Sequence, residues 1–267
     1  MNKITVNLIG PGEICLGNFN YGLGNQLFQI AAVLSYAKDN NFDAIFPVLN
    51  DREKYGSYVD NIFRKINTEE LNREVLIFRE HNSSYIPIPK YDKSILIVDS
   101  YLQSEKYFSH NRDYILDMFS SRERDIEYIE NKYGSILRNE RTISLHIRRG
   151  DYTKLANHYF PLWESDYYNN AIENLEDGKL IIFSDDVEWC RKSFKDKEVI
   201  YIQEEDYMEL YVMSMCTDNI IANSTFSWWG AWMNKNKNKK VIAPSNWFGT
   251  DDDKNNADLI PQDWIII

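Results

Sequence analysis

KLIIFSDDVEWCRKSF (179–194) opens as a short apolar run rich in β-branched and aromatic residues, stops at Ser184, Asp185 and Asp186, and resumes with helical spacing. A strand that passes into a helix within three polar residues is half of a βαβ unit. The same alternation spreads in both directions. TISLHIR (142–148), EVIYI (198–202), NIIAN (219–223) and KVIAP (240–244) read as further strands. WESDYYNNAIENLED (163–177), EEDYMELYVMSMC (204–216) and STFSWWGAWMNKN (224–236) read as helices between them. ITVNLIG (4–10), AIFPV (44–48) and SILIVDS (94–100) extend the pattern into a less regular first half. The expectation is an α/β fold with parallel strands, five of them after residue 141. The charged segment 121–141 reads as a surface helix leading into a second unit, and a boundary near Arg138 gives domains 1–138 and 139–267.

Composition narrows the function. The 267 residues are 43% hydrophobic and 14% aromatic, enough to bury two modest cores. A formal net charge of −11 repels a nucleic-acid duplex, and no basic stripe offsets it, so an anionic ligand must be small and held locally. Cys15, Cys190 and Cys216 are too few and too scattered for a disulfide framework or a zinc site, and read as buried thiols in a reducing compartment. Gly10-Pro11-Gly12 interrupts the apolar N-terminus before a signal core is complete, and no transmembrane run follows. The expected location is the cytoplasm, with the inner membrane face as a peripheral alternative.

In parallel α/β sheets ligands sit beyond the carboxyl ends of the strands. Three places there carry chemistry. SLHIRRGDY (144–152) puts His146, Arg148, Arg149 and Asp151 at a strand end. Side chains alternate along a strand, so Arg148 shares a face with His146, and only one of the two arginines is expected to face a cleft while the other seeks a carboxylate such as Asp151. A guanidinium can fork across two phosphate oxygens without a metal, and the bland alternative is an interior ion pair. In IFSDD (182–186), one aspartate serves as a helix cap and the other is available to a base or ribose. In ANSTFSWWGAW (222–232), the strand stops at Asn223, and Ser224, Thr225 and Ser227 open a helix whose free N–H groups suit an anion. Trp228, Trp229 and Trp232 read as packing residues before sugar-stacking ones.

In the first half, GLGNQLFQ (22–29) combines two glycines, an amide pair and an apolar run. Alone it is an ordinary glycine turn before a buried helix. Taken with SYLQSEKYF (100–108) and the three strand-end segments, in this order, it resembles glycosyltransferase family 11, the α-1,2-fucosyltransferases, over nearly the whole chain. Leu27 and Ile30 stand where Met and Tyr are common in that family.

The resemblance implies two Rossmann-like domains facing across a cleft, the GT-B type of fold, with GDP-fucose as co-substrate and a galactose-terminated oligosaccharide or glycolipid as acceptor. The implied reaction is inverting and places an α-1,2 linkage, with no cofactor and no metal. Arg148, Asn25 and His146 are the implied catalytic residues. Gly24, Gln26, Arg149, Asp151, Ser184, Asp185, Asp186, Asn223, Ser224, Thr225, Phe226 and Ser227 are the implied donor-binding set. The general base stays open among a phosphate oxygen, His146, Asp99 and Glu105. Two alternatives come from other classes: a non-catalytic nucleotide or glycan binding module, and a metal-dependent transferase using Asp251 to Asp253.

Overall fold

The computed structural model describes residues 1–6, 22–47, 56–70, 74–81, 84–250 and 257–267. The chain divides into two compact units, Met1–Ser121 with Asn255–Pro261, and Arg122–Lys254 with Gln262–Ile267. Cys15, the end of ITVNLIG and Asp251 to Asp253 lie outside the described residues.

In the first unit, β1 (Lys3–Val6) is followed by α1 (Leu23–Asn40), β2 (Asp43–Ala44), α2 (Gly56–Asp60), β3 (Leu76–Phe78), β4 (Ile95–Ile97) and α3 (Arg112–Met118). The strands form one parallel sheet in the order β2-β1-β4-β3. α1 is buried almost all round, because its sequence is apolar on every face from Leu27 to Ala37. It ends where Asn41 takes a left-handed φ of 57° and returns its N–H to the carbonyl of Ala37. Leu27, Phe28, Ile30 and Val33 of α1, with Ile4, Val6, Ile95 and Ile97 of the sheet, belong to the buried core.

The second unit opens with α4 (Glu123–Asn139) and continues through β5 (Thr142–Ile147), α5 (Tyr167–Glu173), β6 (Lys179–Ser184), α6 (Val187–Ser193), β7 (Val199–Ile202), α7 (Asp206–Met215), β8 (Asp218–Ile220), α8 (Thr225–Met233), β9 (Val241–Ala243) and β10 (Ile265–Ile266). All six strands are parallel, in the order β10-β9-β8-β5-β6-β7. Renumbered from β5, that is 3-2-1-4-5-6, the doubly wound Rossmann order. Every residue of β5 is buried, as a central strand covered on both faces requires. Ile143, Leu145 and Ile147 join Leu180, Ile182, Ile220 and Ile242 in one core.

Two strands differ from the sequence reading. β3 and β10 are three and two residues long, too short to show a period, and each is an edge strand. Trp228, Trp229 and Trp232 pack against one another at 5.1–6.1 Å, Trp228 also lies 5.4 Å from Trp264, and all four are buried. They are core residues of the second unit. Cys190 and Cys216 are buried thiols, and burial pushes them up, to about 11 and about 12.

Candidate active site

Strand order locates a ligand before any side chain is considered. β5 and β8 are neighbours whose connections leave in opposite directions, toward β6 and β7 on one side and β9 and β10 on the other. The crevice beyond the carboxyl ends of such a pair receives ligands in open parallel sheets. Residues 146–151 and 222–227 occupy that position.

His146 is the fifth residue of β5 and is 5% exposed, with its ring 5.4 Å from that of Phe226. Burial holds the imidazole well below its ordinary value; Asp185 opposes that effect and Arg148 adds to it. The ring is neutral at pH 7. Its Nδ1 is buried without a hydrogen-bond partner among the described residues.

β5 ends at Ile147, so Arg148 and Arg149 stand in a turn where strand alternation no longer governs them. Both arginines pair with carboxylates, and Asp151 goes to Arg148 while Arg149 takes Asp186. Arg148 reaches Asp151 through Nη2 and Asp185 through Nη1, both at 2.8 Å, and lies over the Tyr152 ring. Arg149 pairs with Asp186 and stacks 5.3 Å from Trp189. Asp185 Oδ1 also accepts from the backbone N–H groups of Arg149 and Gly150, at 2.9 and 3.1 Å. A Cβ on Gly150 would meet the Asp185 carboxylate at 2.7 Å, so only glycine lets that carboxylate come so close.

Asp186 is the N-cap of α6 and accepts from Trp189 N–H. That bond, and then Arg149, holds its carboxyl below the ordinary range although burial acts the other way. The hydroxyl of Ser184 accepts from the Asp186 N–H at 3.0 Å. A carboxylate that the sequence reading missed stands on α7. Glu209 is pushed up to about 7 by burial, with Asp206, Glu204 and Asp185 adding to the shift, although it accepts from Glu204 N–H at 3.1 Å. Its signal was hidden in an ordinary acidic helix start.

Beyond β8, Asn223 Nδ2 donates to the carbonyls of Phe160 and Trp247, both at 2.9 Å, while its backbone carbonyl accepts from Tyr152 OH. The side chain thus ties the strand end to two loops. Ser224 caps α8 by accepting from Phe226 N–H. Ser227 Oγ donates to the Ser224 carbonyl and accepts from Ala222 N–H. The hydroxyls of Ser224 and Ser227 are thus engaged inside the fold, and Thr225 is the first residue of the helix. Tyr152, also missed, stacks on Tyr159 at 4.0 Å.

The first unit brings a different set together. Gly22 is the N-cap of α1, so Gly24, Asn25 and Gln26 lie in its first turn, and Gly24 and Gln26 are buried. Asn25 Oδ1 accepts from Gln103 Nε2 at 2.9 Å, and Gln29 Nε2 donates to the Ser100 carbonyl at 2.8 Å. Both contacts join α1 to the loop after β4. Asp99 in that loop pairs with Arg79, and Glu105 lies in a 3₁₀ turn. His81 and His158 are exposed, and His110 pairs with Asp39. Among the described residues no group of His, Cys, Asp and Glu could hold a metal ion, and no helix is long and apolar enough to cross a membrane.

A sequence profile of glycosyl transferase family 11 matches residues 17–267. The chain is 30% identical to the O-antigen biosynthesis glycosyltransferase WbnK of Escherichia coli, over 91% of this chain and 97% of that protein. It is 28% identical to an alpha-1,2-colitosyltransferase of Escherichia coli, over 92% and 96%. It is 27% identical to a galactoside 2-alpha-L-fucosyltransferase of Caenorhabditis elegans, over 82% and 68%. Among solved structures, the α-1,6-fucosyltransferase NodZ co-crystallised with GDP superimposes with a TM-score of 0.56 over 86% of this chain and 92% of that chain, at 13% identity. That likeness is one of fold, and the α/β fold with parallel sheets is the GT-B type the sequence implied.

Proposed function

Because the chain belongs to glycosyl transferase family 11 and is therefore a glycosyltransferase, we propose that it moves L-fucose from GDP-β-L-fucose to the 2-hydroxyl of a terminal β-galactoside. The observation that carries this reading is Arg148, a forked guanidinium beyond the β5 strand end, next in the fold to β8 and the start of α8. The names of two relatives, a 1,2-colitosyl and a galactoside 2-fucosyl transferase, support the linkage.

Cleavage of the sugar–phosphate bond loads charge on the leaving β-phosphate while an oxocarbenium-like sugar forms. Arg148 meets that charge by giving up Asp151, which is 57% exposed, and keeping Asp185, which is 25% exposed and fixed by two backbone N–H groups. The N–H groups of the first turn of α8 supply the rest, so no metal is required. A β-linked donor and an α-linked product require a single displacement with inversion. His146 backs Phe226 as a neutral ring, Asn25 serves the acceptor side, and the acceptor proton leaves to a base on the face of the sugar opposite the departing diphosphate. The second unit is the donor domain and the first the acceptor side.

The test is incubation of the protein with GDP-fucose and lactose or a type 1 or type 2 galactoside, with and without excess EDTA, and assignment of the linkage by NMR. An α-1,2-fucosyl product in both conditions is expected. A different linkage, or activity that EDTA abolishes and magnesium or manganese restores, overturns the corresponding part. The likeness to a colitosyltransferase makes a colitosyl donor the second one to test.

A further inference from the structure

Two carboxylates of unlike freedom hold Arg148. Asp185 is fixed, because Oδ1 accepts from the Arg149 and Gly150 N–H groups while Oδ2 pairs with Nη1, and Gly150 leaves no room beside it for a Cβ. Asp151 has Arg148 Nη2 as its one ion pair among the described residues, and its side chain is more than half exposed. The backbone that carries Asp151 is nevertheless tied down. It opens a 3₁₀ turn, Asp151–Lys154, in which Thr153 N–H donates to the Arg149 carbonyl at 2.9 Å and Thr153 Oγ1 to the Gly150 carbonyl at 2.8 Å. Tyr152 is pinned from two sides, by its OH on the Asn223 carbonyl at 3.3 Å and by its stack on Tyr159. Its ring lies 5.4 Å from the Arg148 guanidinium carbon, a cation–π contact that steadies Arg148 without help from Asp151. The Asp151 carboxylate can therefore turn to solvent about its own side-chain bonds while the turn and the arginine stay in place.

Charge decides what such a carboxylate does. Arg148 and Arg149 pair with Asp151, Asp185 and Asp186, so these five side chains carry one negative charge in excess. A diphosphate that takes Arg148 must compete with one of its two carboxylates. Removing Asp185 strips two backbone N–H groups of their acceptor, whereas Asp151 leaves no protein group but Arg148 behind and is received by water. We propose that Asp151 is the residue that governs departure of the nucleotide product: it yields Arg148 to the β-phosphate when the donor binds and takes the guanidinium back as GDP leaves. This rests on the reading that Arg148 meets the β-phosphate. A cation placed to stabilise a leaving group also retains that group after the bond has broken, and release then limits turnover. A tethered carboxylate within reach of the same nitrogen offers the arginine a second partner and shortens the stay of the first.

The test compares Asp151→Asn and Asp151→Ala, which remove the charge, with Asp151→Glu, which keeps it. The full chain is titrated calorimetrically with GDP and with GMP, and the dissociation rate of GDP is followed by rapid displacement beside a thermal melt. Both uncharged variants are expected to bind GDP roughly three- to tenfold more tightly than the parent, mainly through slower dissociation. GMP has no β-phosphate, and its affinity is expected to stay within about twofold of the parent's, since most of the change belongs to one charge-assisted contact. Asp151→Glu is expected to stay near the parent with both nucleotides. A side chain that only shaped the turn would weaken GDP binding when removed, so unchanged or weaker GDP affinity in the uncharged variants overturns the proposal. Equal tightening of GMP overturns it as well, because Asp151 would then repel any phosphate instead of exchanging with the terminal one. Tightening in Asp151→Glu as large as in Asp151→Asn removes charge as the cause. Each of these results leaves the proposed function intact, whereas failure of the unaltered protein to bind GDP overturns the proposed function itself.

Discussion

At the strand ends of the second unit two guanidinium groups interlock with three carboxylates, whereas at those of the first unit amides meet amides, carbonyls and a hydroxyl. Both sets follow central, parallel neighbours of their sheets, but β5 and β8 send their connections to opposite sides, whereas β4 is the last strand of its sheet in chain order. What differs is how each holds its shape. The second unit uses charge, and its carboxylates outnumber its arginines, so under the proposed function an incoming diphosphate displaces one anion from a cation already placed. The loop after β4 in the first unit uses two left-handed residues, Asp99 and Leu102, and amide hydrogen bonds, with the Arg79–Asp99 pair as its charged contact among those described here. The two units thus place different side-chain chemistry after the central strands of their sheets.

The largest effect is expected from Arg148→Lys. If charge at the second unit drives departure of the leaving group, kcat falls on the order of 100-fold at an unchanged melting temperature, because an ammonium cannot span two oxygens. Transfer to sugar and slow hydrolysis by water should fall together, whereas a change at Asn25 should slow only transfer. Near-normal kcat in Arg148→Lys would erase the contrast between the units.

Glu209 measures what the crowd of carboxylates costs. Its folded carboxyl is raised from 4.5 to about 7, so between those values the folded chain keeps a proton that the unfolded chain releases. Its contribution to stability is complete below pH 4.5 and is lost as pH rises to about 7. Glu209→Gln does not suffer this loss, and its advantage over the parent in denaturant unfolding should grow by about 2–3 kcal/mol across that window. A constant difference would show that the carboxylates do not burden the second unit.

Arg149→Lys should act on the fold, lowering unfolding free energy by about 1–2 kcal/mol through a poorer Nη1-type contact with Asp186 and weaker stacking on Trp189, with kcat within a few-fold of normal. A stable but inactive variant would mean that Arg149, not Arg148, holds the phosphate. The smallest effect separates two neighbours at the start of α8. Ser224→Ala should cost about 1 kcal/mol of stability as a lost cap, while Thr225→Ala should weaken GDP binding by about 1 kcal/mol. Calorimetric titration with GDP beside a thermal melt tells them apart, and equal GDP affinity in both variants would leave the helix start a cap alone.

The second unit was the more legible in sequence because its strands are buried and bounded by polar turns. β5 and β6 are six-residue runs, and IFSDD marked a strand end and a cap, while Asp185, which reads as available to a base or ribose, holds Arg148. The pairing of the two arginines was not legible. It depends on β5 stopping at Ile147, one residue before alternation would have assigned them. β3 and β10 escaped because their pairing, not their pattern, makes them strands. Gln103 lay inside a quoted motif, but its contact with Asn25 follows the left-handed Leu102, and a leucine gives no local sign of that. Glu80, which accepts from Leu102 N–H and Tyr107 OH, carried no signal at all, since its partners are 20 to 27 residues away.

The tryptophan cluster has an optical consequence. All seven tryptophans of the chain fall between Trp163 and Trp264, inside the second unit, and the first unit has none. Indole emission therefore reports on one unit only, and the four rings within about two ring widths of each other around Trp228 will exchange excitation and depolarise their own fluorescence. Far-ultraviolet circular dichroism sees the helices of both units. If the two signals melt at one temperature, the halves of the chain unfold as a single cooperative body; if the indole signal departs from the helical one, each half keeps its own thermal account, and GDP should move only the transition that the indoles see.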